Sequence, residues 1–202
     1  MPPDSAAGPT RALMVIDVQN LFCHPEGSVT ELVGPLHRID ETLRGVREAV
    51  RDARLEQRPV IYTRHCYDAK YLNAGRNFPG PNPIGVTGRE LMELDAFVSG
   101  SWNAQVLDGV APEDGDVVLD KTRYDAFLGT PLESVLRGLG VVEIDFCGVV
   151  TNICVETTVR AAFMRDFACS VFADRTTAGT REKHETALWA LDTGEFAQIV
   201  HG

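Results

Sequence analysis

Short apolar runs that end on a polar residue alternate with amphipathic stretches along this chain. That alternation constrains the fold more than any other feature of the sequence. "RALMVIDVQN" opens apolar and finishes on Asp17, the pattern of a strand buried on both faces and ending at a polar edge. Between Pro35 and Gln57, the residues Ile39, Leu43, Val46, Val50 and Ala53 recur at spacings of four and three, which is one face of a helix. "PVIYTR" (59–64) reads as a second strand and "GDVVLDK" (115–121) as a third, ending on Lys121. "PLESVLRGLG" is a helix opened by Pro and closed by Gly. "VVEIDFCGVV" is a fourth strand, followed by a helix from about Asn152 to Arg165. "ACSVFAD" gives a fifth strand, "TREKHETALWALDTG" a last helix with Gly194 past its end, and "FAQIV" a short sixth strand. Residues 66–103, rich in Gly, Pro and Asn, form a long loop broken by a helical piece at "GRELMELDAFV"; such loops are usually functional or mobile. The economical packing is a doubly wound parallel sheet of about six strands, with right-handed crossovers and helices on both faces.

At 202 residues the chain fits one domain, expected over 11–202, behind a flexible tail at residues 1–10. That tail, "MPPDSAAGPT", lacks the basic start and apolar stretch of a signal peptide. A formal net charge of −10 argues against nucleic acid as a partner. Arg38, Arg44, Arg47, Arg51 and Arg54 are interleaved with acids and read as a solvated helix face. No run approaches the ~20 apolar residues of a membrane span. The five cysteines are odd in number, irregularly spaced and without a CxxC pair, so free thiols in a reducing cytoplasm are expected.

In a doubly wound sheet, ligands gather at the carboxyl ends of the strands. Asp17, Lys121 and Cys154 all lie at or just past such ends and can converge there. A thiol attacks only as thiolate, and at an ordinary pKa of ~8.5 little of it exists at neutral pH. Two features favour the anion at Cys154: the amides and dipole of a first helical turn, and a cation at Lys121. Asp17 is placed to take the thiol proton and return it to a leaving nitrogen. Each residue also has a bland reading. A cysteine at a strand–helix junction is commonly a small buried hydrophobe, an Asp at a strand end a turn residue, and a lone Lys a surface charge. Cys147 and Cys169 sit inside strand patterns, and Cys23 and Cys66 lie in loops without an activating neighbour.

"VIDVQNLF", "VVLDKTRYDAF" and "GVVTNICVETTVRAA", in that order and at these separations, resemble the isochorismatase-like cysteine hydrolases over nearly the whole chain. The last motif is the most specific. The resemblance makes Cys154 the nucleophile, Asp17 the general base and Lys121 the residue favouring the thiolate. It also implies a cis peptide at Val149–Val150, which aims the Val150 amide, with that of Cys154, at a developing oxyanion. Homodimers or homotetramers are the assembly it implies, with the 66–103 segment closing a neighbour's pocket.

Nicotinamidases of this family carry a metal-binding Asp-x-His after the second strand; here "TRHCYD" puts His65 and Tyr67 in those places. One histidine is no zinc site, so neither a metal nor another cofactor is expected. His24, His37, His184 and His201 are given no role. "SWNAQVLDGVAPEDGDVVLDKTRYDAFLGTPLESVLRGLG" and "TNICVETTVRAA" are most similar to the ureidoacrylate, biuret and N-carbamoylsarcosine amidohydrolases. The expected activity is cleavage of a C–N bond in a small amide or ureide through a thioester. The alternatives are an isochorismatase-type vinyl-ether hydrolase, whose chemistry runs on the aspartate, or a nicotinamidase. Substrate contacts are expected from Gln19, Asn20 and Phe22 behind Asp17, from Trp102, and from Arg123, Tyr124 and Phe127 behind Lys121. Arg76 and Arg89, in the long loop, could meet a substrate carboxylate or could simply be surface charge. Two non-enzymes remain. A phosphoacceptor receiver domain would need a further acidic pair near the first strand, which "MVIDVQN" lacks, and a catalytically dead binding protein would share the fold.

Overall fold

The computed structural model describes residues 10–202. Residues 1–9 of the expected tail (1–10) therefore lie outside the described residues, and its last residue, Thr10, already begins the first strand. In chain order the elements are β1 (Thr10–Ile16), α1 (Asn20–Cys23), α2 (Ser28–Val33), α3 (Ile39–Leu55), β2 (Val60–His65), α4 (Gly88–Glu93), β3 (Val117–Lys121), α5 (Leu132–Gly138), β4 (Val141–Val149), α6 (Glu156–Phe163), β5 (Ala168–Thr177), α7 (Arg181–Thr193) and β6 (Gln198–Val200). The sheet is wholly parallel with strand order β3-β2-β1-β4-β5-β6. The chain winds outward from β1 to one edge, returns to the other side of β1, and winds outward again. The carboxyl ends of β1 and β4 thus flank a switch point, the place where such sheets open a crevice.

The apolar runs became the central strands. Ala12 to Ile16 of β1 are fully buried, and Ile144, Phe146, Cys147 and Val149 of β4 lie beside them. Helices pack around the sheet. α3 buries Leu43, Val46, Val50 and Ala53, the face that its spacing marks out. α7 begins where Thr180 Oγ1 accepts from the Lys183 amide at 3.2 Å, an N-cap of the ordinary kind.

The structure departs from the sequence reading in three places. β5 runs to Thr177, beyond the apolar run that identified it. α1 and α2 are short helices that the periodicity did not separate from the loop after β1. The segment after β4 does not enter an α-helix at once: Thr151–Val155 forms a π-helical turn, and α6 starts only at Glu156. The long 66–103 loop has its own small core. Tyr67 packs on Phe78 and Phe97 with ring centroids 4.7 and 5.6 Å apart, and Tyr71 stacks on Phe78 at 5.7 Å. The Asp68 carboxylate closes its first turn by accepting from the amides of Lys70, Leu72 and Asn73.

Candidate active site

Four neighbouring strands deliver one side chain each to the same point. Asp17 follows β1 in a left-handed backbone conformation (φ 49°), which Asp tolerates better than most residues and which turns the chain sharply off the strand. His65 ends β2, Lys121 ends β3, and Cys154 sits in the π-helical turn after β4. Lys121 Nζ lies 2.7 Å from Asp17 Oδ2 and 3.4 Å from Cys154 Sγ. It also donates to the Arg123 carbonyl at 3.0 Å. The second carboxylate oxygen of Asp17 accepts from Thr63 Oγ1 at 2.7 Å, which fixes the carboxylate from β2. Asp17, Lys121 and Cys154 are 0, 1 and 4% exposed.

The charges here are strongly coupled. Burial opposes the Lys121 ammonium, but Asp17 and Cys154 outweigh it and hold the group charged well into alkaline pH. Burial pushes the Cys154 thiol up; Lys121 pulls it down and Asp17 pushes it up again, with a net rise. The resting state is therefore a neutral thiol beside an Asp17–Lys121 ion pair. Burial opposes the anion that the sequence leads one to expect at Cys154, and the turn that carries it is π-helical rather than the start of an α-helix. Moving the thiol proton to Asp17 leaves the site's net charge unchanged, since the single cation then serves the sulfur in place of the carboxylate.

The Val149–Val150 peptide is cis, as the resemblance implies. The turn behind it is tied down from α7: Thr151 Oγ1 lies 2.8 Å from His184 Nδ1.

His65 is the residue that sequence reasoning missed. A ring nitrogen of His65, a carboxylate oxygen of Asp17 and Cys154 Sγ lie within 4.8 Å of one another. Burial first, then Lys121 and Arg123, hold this imidazole neutral, and its Nε2 is 2.7 Å from the Tyr67 hydroxyl. The sequence signal was only its place at the end of the second apolar run; that β2 lies between the strands of Asp17 and Lys121 is a property of the sheet. By donor type, Asp17, His65 and Cys154 could hold a small cation. They do not fit one, because the Lys121 ammonium already sits against two of the three donors, and a metal ion would face that charge at close range.

The other expected contacts divide. Tyr124 lines the cavity beside the site, its ring centroid 5.8 Å from that of His65. Arg123 lines the same cavity, though its Nη1 donates to the carbonyls of Thr122, Asn73 and Ala74 and so holds the long loop. Phe22 is core, but it lines a small cavity of about 160 Å³ with Val150 and Ile153. Gln19 and Asn20 are spent on structure: Gln19 exchanges hydrogen bonds with the His65 backbone and donates to Ala104, and Asn20 donates to the Trp102 carbonyl. Trp102 is 45% exposed and packs edge-on to His24. Phe127 stacks on Phe167 in the core. Gln19, Asn20 and Phe127 make these contacts within the fold, and Trp102, singled out in the stretch before the third strand, lies at the surface.

A parallel sheet in the order 3-2-1-4-5-6, with an Asp–Lys–Cys cluster across its switch point, defines a class of hydrolase. The isochorismatase domain model matches residues 11–201, and this chain belongs to that family. It is 34% identical to the ureidoacrylate amidohydrolase RutB of Methylobacterium radiotolerans over 190 residues, 91% of this chain and 74% of that protein. Among solved structures it is similar to a cysteine hydrolase from Pseudomonas syringae pv. phaseolicola, with 26% identity and a TM-score of 0.78 over 94% of this chain and 87% of the other. An isochorismatase family protein from Desulfovibrio vulgaris superposes with a TM-score of 0.80 at 24% identity, over 95% and 94% of the two chains. No helix among the described residues is long and apolar enough to cross a membrane.

Proposed function

We propose that this hydrolase cleaves the C–N bond of a small amide or ureide, with Cys154 as nucleophile and a thioester as intermediate. The observation that carries this reading is the buried cluster in which one ammonium lies 2.7 Å from a carboxylate and 3.4 Å from a thiol. Asp17 Oδ2 makes no well-directed hydrogen bond and faces Lys121, which leaves it the oxygen to receive the thiol proton. The thiolate then attacks the carbonyl carbon, and the oxyanion is met by the amides of Val150 and Cys154. Collapse breaks the C–N bond, and the leaving nitrogen takes the proton from Asp17. In the second half Asp17 deprotonates water, which attacks the thioester; the acid departs and the sulfur recovers its proton. A ureide treated this way yields a carbamate that decays to ammonia and carbon dioxide. The amidohydrolase identity of the 34% relative supports the choice of C–N over vinyl-ether cleavage. Assembly as a homodimer or homotetramer belongs to the same reading, and light scattering that gives a 22.1 kDa particle overturns that part of it.

The test is ammonia release from a panel of ureidoacrylate, biuret, N-carbamoylsarcosine and nicotinamide, with isochorismate followed by its own products, each with and without EDTA. Turnover of an amide or ureide that survives EDTA is expected, together with alkylation of Cys154 by iodoacetamide ahead of the other four thiols. Preferred turnover of isochorismate, or of nicotinamide in an EDTA-sensitive manner, overturns the proposal.

A further inference from the structure

The turn that carries Cys154 is held by few bonds of its own. Thr151–Val155 is π-helical, and the Val150 carbonyl accepts from both Ile153 at 3.1 Å and Val155 at 3.3 Å. One carbonyl thus closes a wide turn through two amides, a looser arrangement than the one-to-one ladder of an α-helix. A side-chain tie comes from Thr151, three residues before Cys154, whose Oγ1 lies 2.8 Å from His184 Nδ1 on α7. The helix end that offers this ring is itself fixed. The His184 amide donates to the Thr180 carbonyl at 3.1 Å, in the turn that the Thr180 side chain caps.

Burial decides the polarity of this bond. Thr151 is fully buried, and among the described residues its hydroxyl has no hydrogen-bond partner besides His184. A hydroxyl proton so placed needs an acceptor, so Nδ1 accepts it and the ring carries its own proton on Nε2. A second proton, added at Nδ1, makes the ring a donor on both sides. Thr151 can then only accept, and its hydroxyl proton is left buried without a partner.

The ring is open to that second proton. His184 is half-buried and lines a cavity of about 390 Å³ that includes no member of the triad. Facing it there are His37 and Arg38 from the segment before α3, Glu41 from α3, and Asp174 from β5. Arg181 and Glu185 of α7, and His201 beyond β6, complete the charged and titratable groups of this lining. Both arginines are matched, Arg38 by Glu41 and Arg181 by Glu185. Burial first, then His37 and Arg38, lower the His184 pKa from an ordinary 6.5, and Glu185 opposes them. The imidazole is therefore neutral at neutral pH and charges only on acidification.

We propose that His184 is a positioning residue for Cys154: its neutral ring holds the turn through the Thr151 hydroxyl, and its protonation loosens the turn and slows the nucleophile. The inference rests on the proposed thiol chemistry and adds a group outside the triad that shapes the acid side of the pH profile.

The experiment follows kcat and KM between about pH 8 and 5 for the best amide or ureide of the panel, in the wild type, His184→Asn and His184→Leu. Asn sets an amide oxygen near the place of Nδ1 and does not titrate, whereas Leu offers no acceptor. Wild-type kcat is expected to fall about five- to tenfold to a plateau on acidification, with KM nearly constant, because protonation loosens the turn without removing a reacting group. His184→Asn should stay within about threefold of the wild-type rate at pH 8 and lose this acid limb, and His184→Leu should sit at the lower plateau throughout. A second readout needs no turnover. By heteronuclear NMR, the backbone amides of Asn152 to Val155 should shift in step with the His184 ring in the wild type and stay still in His184→Asn. An acid limb that persists unchanged in His184→Asn, or a wild-type kcat in His184→Leu, overturns the inference while the proposed C–N hydrolase stands. Failure of every amide and ureide in the panel removes the hydrolase reading itself. The amide resonances then decide alone whether the ring governs the turn, and resonances that ignore the His184 titration overturn the inference.

Discussion

At the scale of single residues, the triad separates two ways of losing activity. Replacing Cys154 by Ser leaves the Asp17–Lys121 pair intact and changes one buried atom for a smaller one. Cys154→Ser is expected to fold with nearly unchanged stability and to lose at least about three orders of magnitude in kcat, since an alcohol at its ordinary pKa is a poor nucleophile. Asp17→Asn is different. It strips the counterion from an ammonium that is 1% exposed, and an uncompensated buried charge costs about 3–5 kcal/mol. That variant should lose activity to a similar degree and, in addition, shift to a much lower urea midpoint. Steady-state rates and urea unfolding on the same two proteins check both statements. Equal midpoints would mean that the pair is not charged in the folded state.

At the scale of elements, the junction of β1 with β4 and the turn that follows is where the fold shapes the site. Gly148 pairs with Ile16 at φ 110°, and a Cβ there would stand 2.2 Å from the Ile16 carbonyl oxygen. Both the conformation and the close approach exclude a side chain. Gly148→Ala is expected to cost at least about 2 kcal/mol by chemical denaturation, or to yield no folded protein. Three residues on, Thr151 is fully buried and holds the π-helical turn to α7 through His184. Thr151→Val keeps the volume and removes the hydroxyl. It should lower kcat about five- to tenfold with KM nearly constant, because the loosened turn carries Cys154, the proposed nucleophile. A rise in KM alone would place Thr151 in substrate binding instead.

At the scale of the whole molecule, buried titratable groups set a pH window. Burial pushes Cys66, Cys147 and Cys169 up to about 12, and Cys23 and Cys154 further in the same direction, from an ordinary 9.0. Above pH 9.0 an unfolded chain releases thiol protons that the folded chain keeps, so stability falls as pH rises. Lys121 acts in the same direction, since its raised pKa gives stability that is present below 10.5 and lost as pH climbs through the folded value. On the acid side, burial depresses His65 and His184 below 6.5. The unfolded chain then takes up protons that the folded chain refuses, and stability falls as pH drops below 6.5. Tm measured by calorimetry should be greatest between about pH 6.5 and 9 and decline on both sides. A Tm that climbs from pH 9 to 10 would contradict the burial of these thiols.

What the sequence determined by itself was local and periodic. The apolar runs of β1 and β4 and the four-and-three spacing of α3 are properties of neighbouring residues, and they set the alternation from which a wound parallel sheet follows. Asp17, Lys121 and Cys154 were legible because strand ends in such a sheet meet, whatever the loops do. Only the tertiary structure decided the rest. His65 enters the site because β2 lies between β1 and β3, an order that periodicity does not encode. The partners of Gln19, Asn20, Trp102 and Phe127 were decided there as well, because loop side chains go where hydrogen bonds and packing take them, and those partners lie up to 85 residues distant in the chain. The pull of burial against the Cys154 thiolate arises the same way, since desolvation depends on how deeply the folded molecule encloses a thiol and not on the residues beside it in sequence.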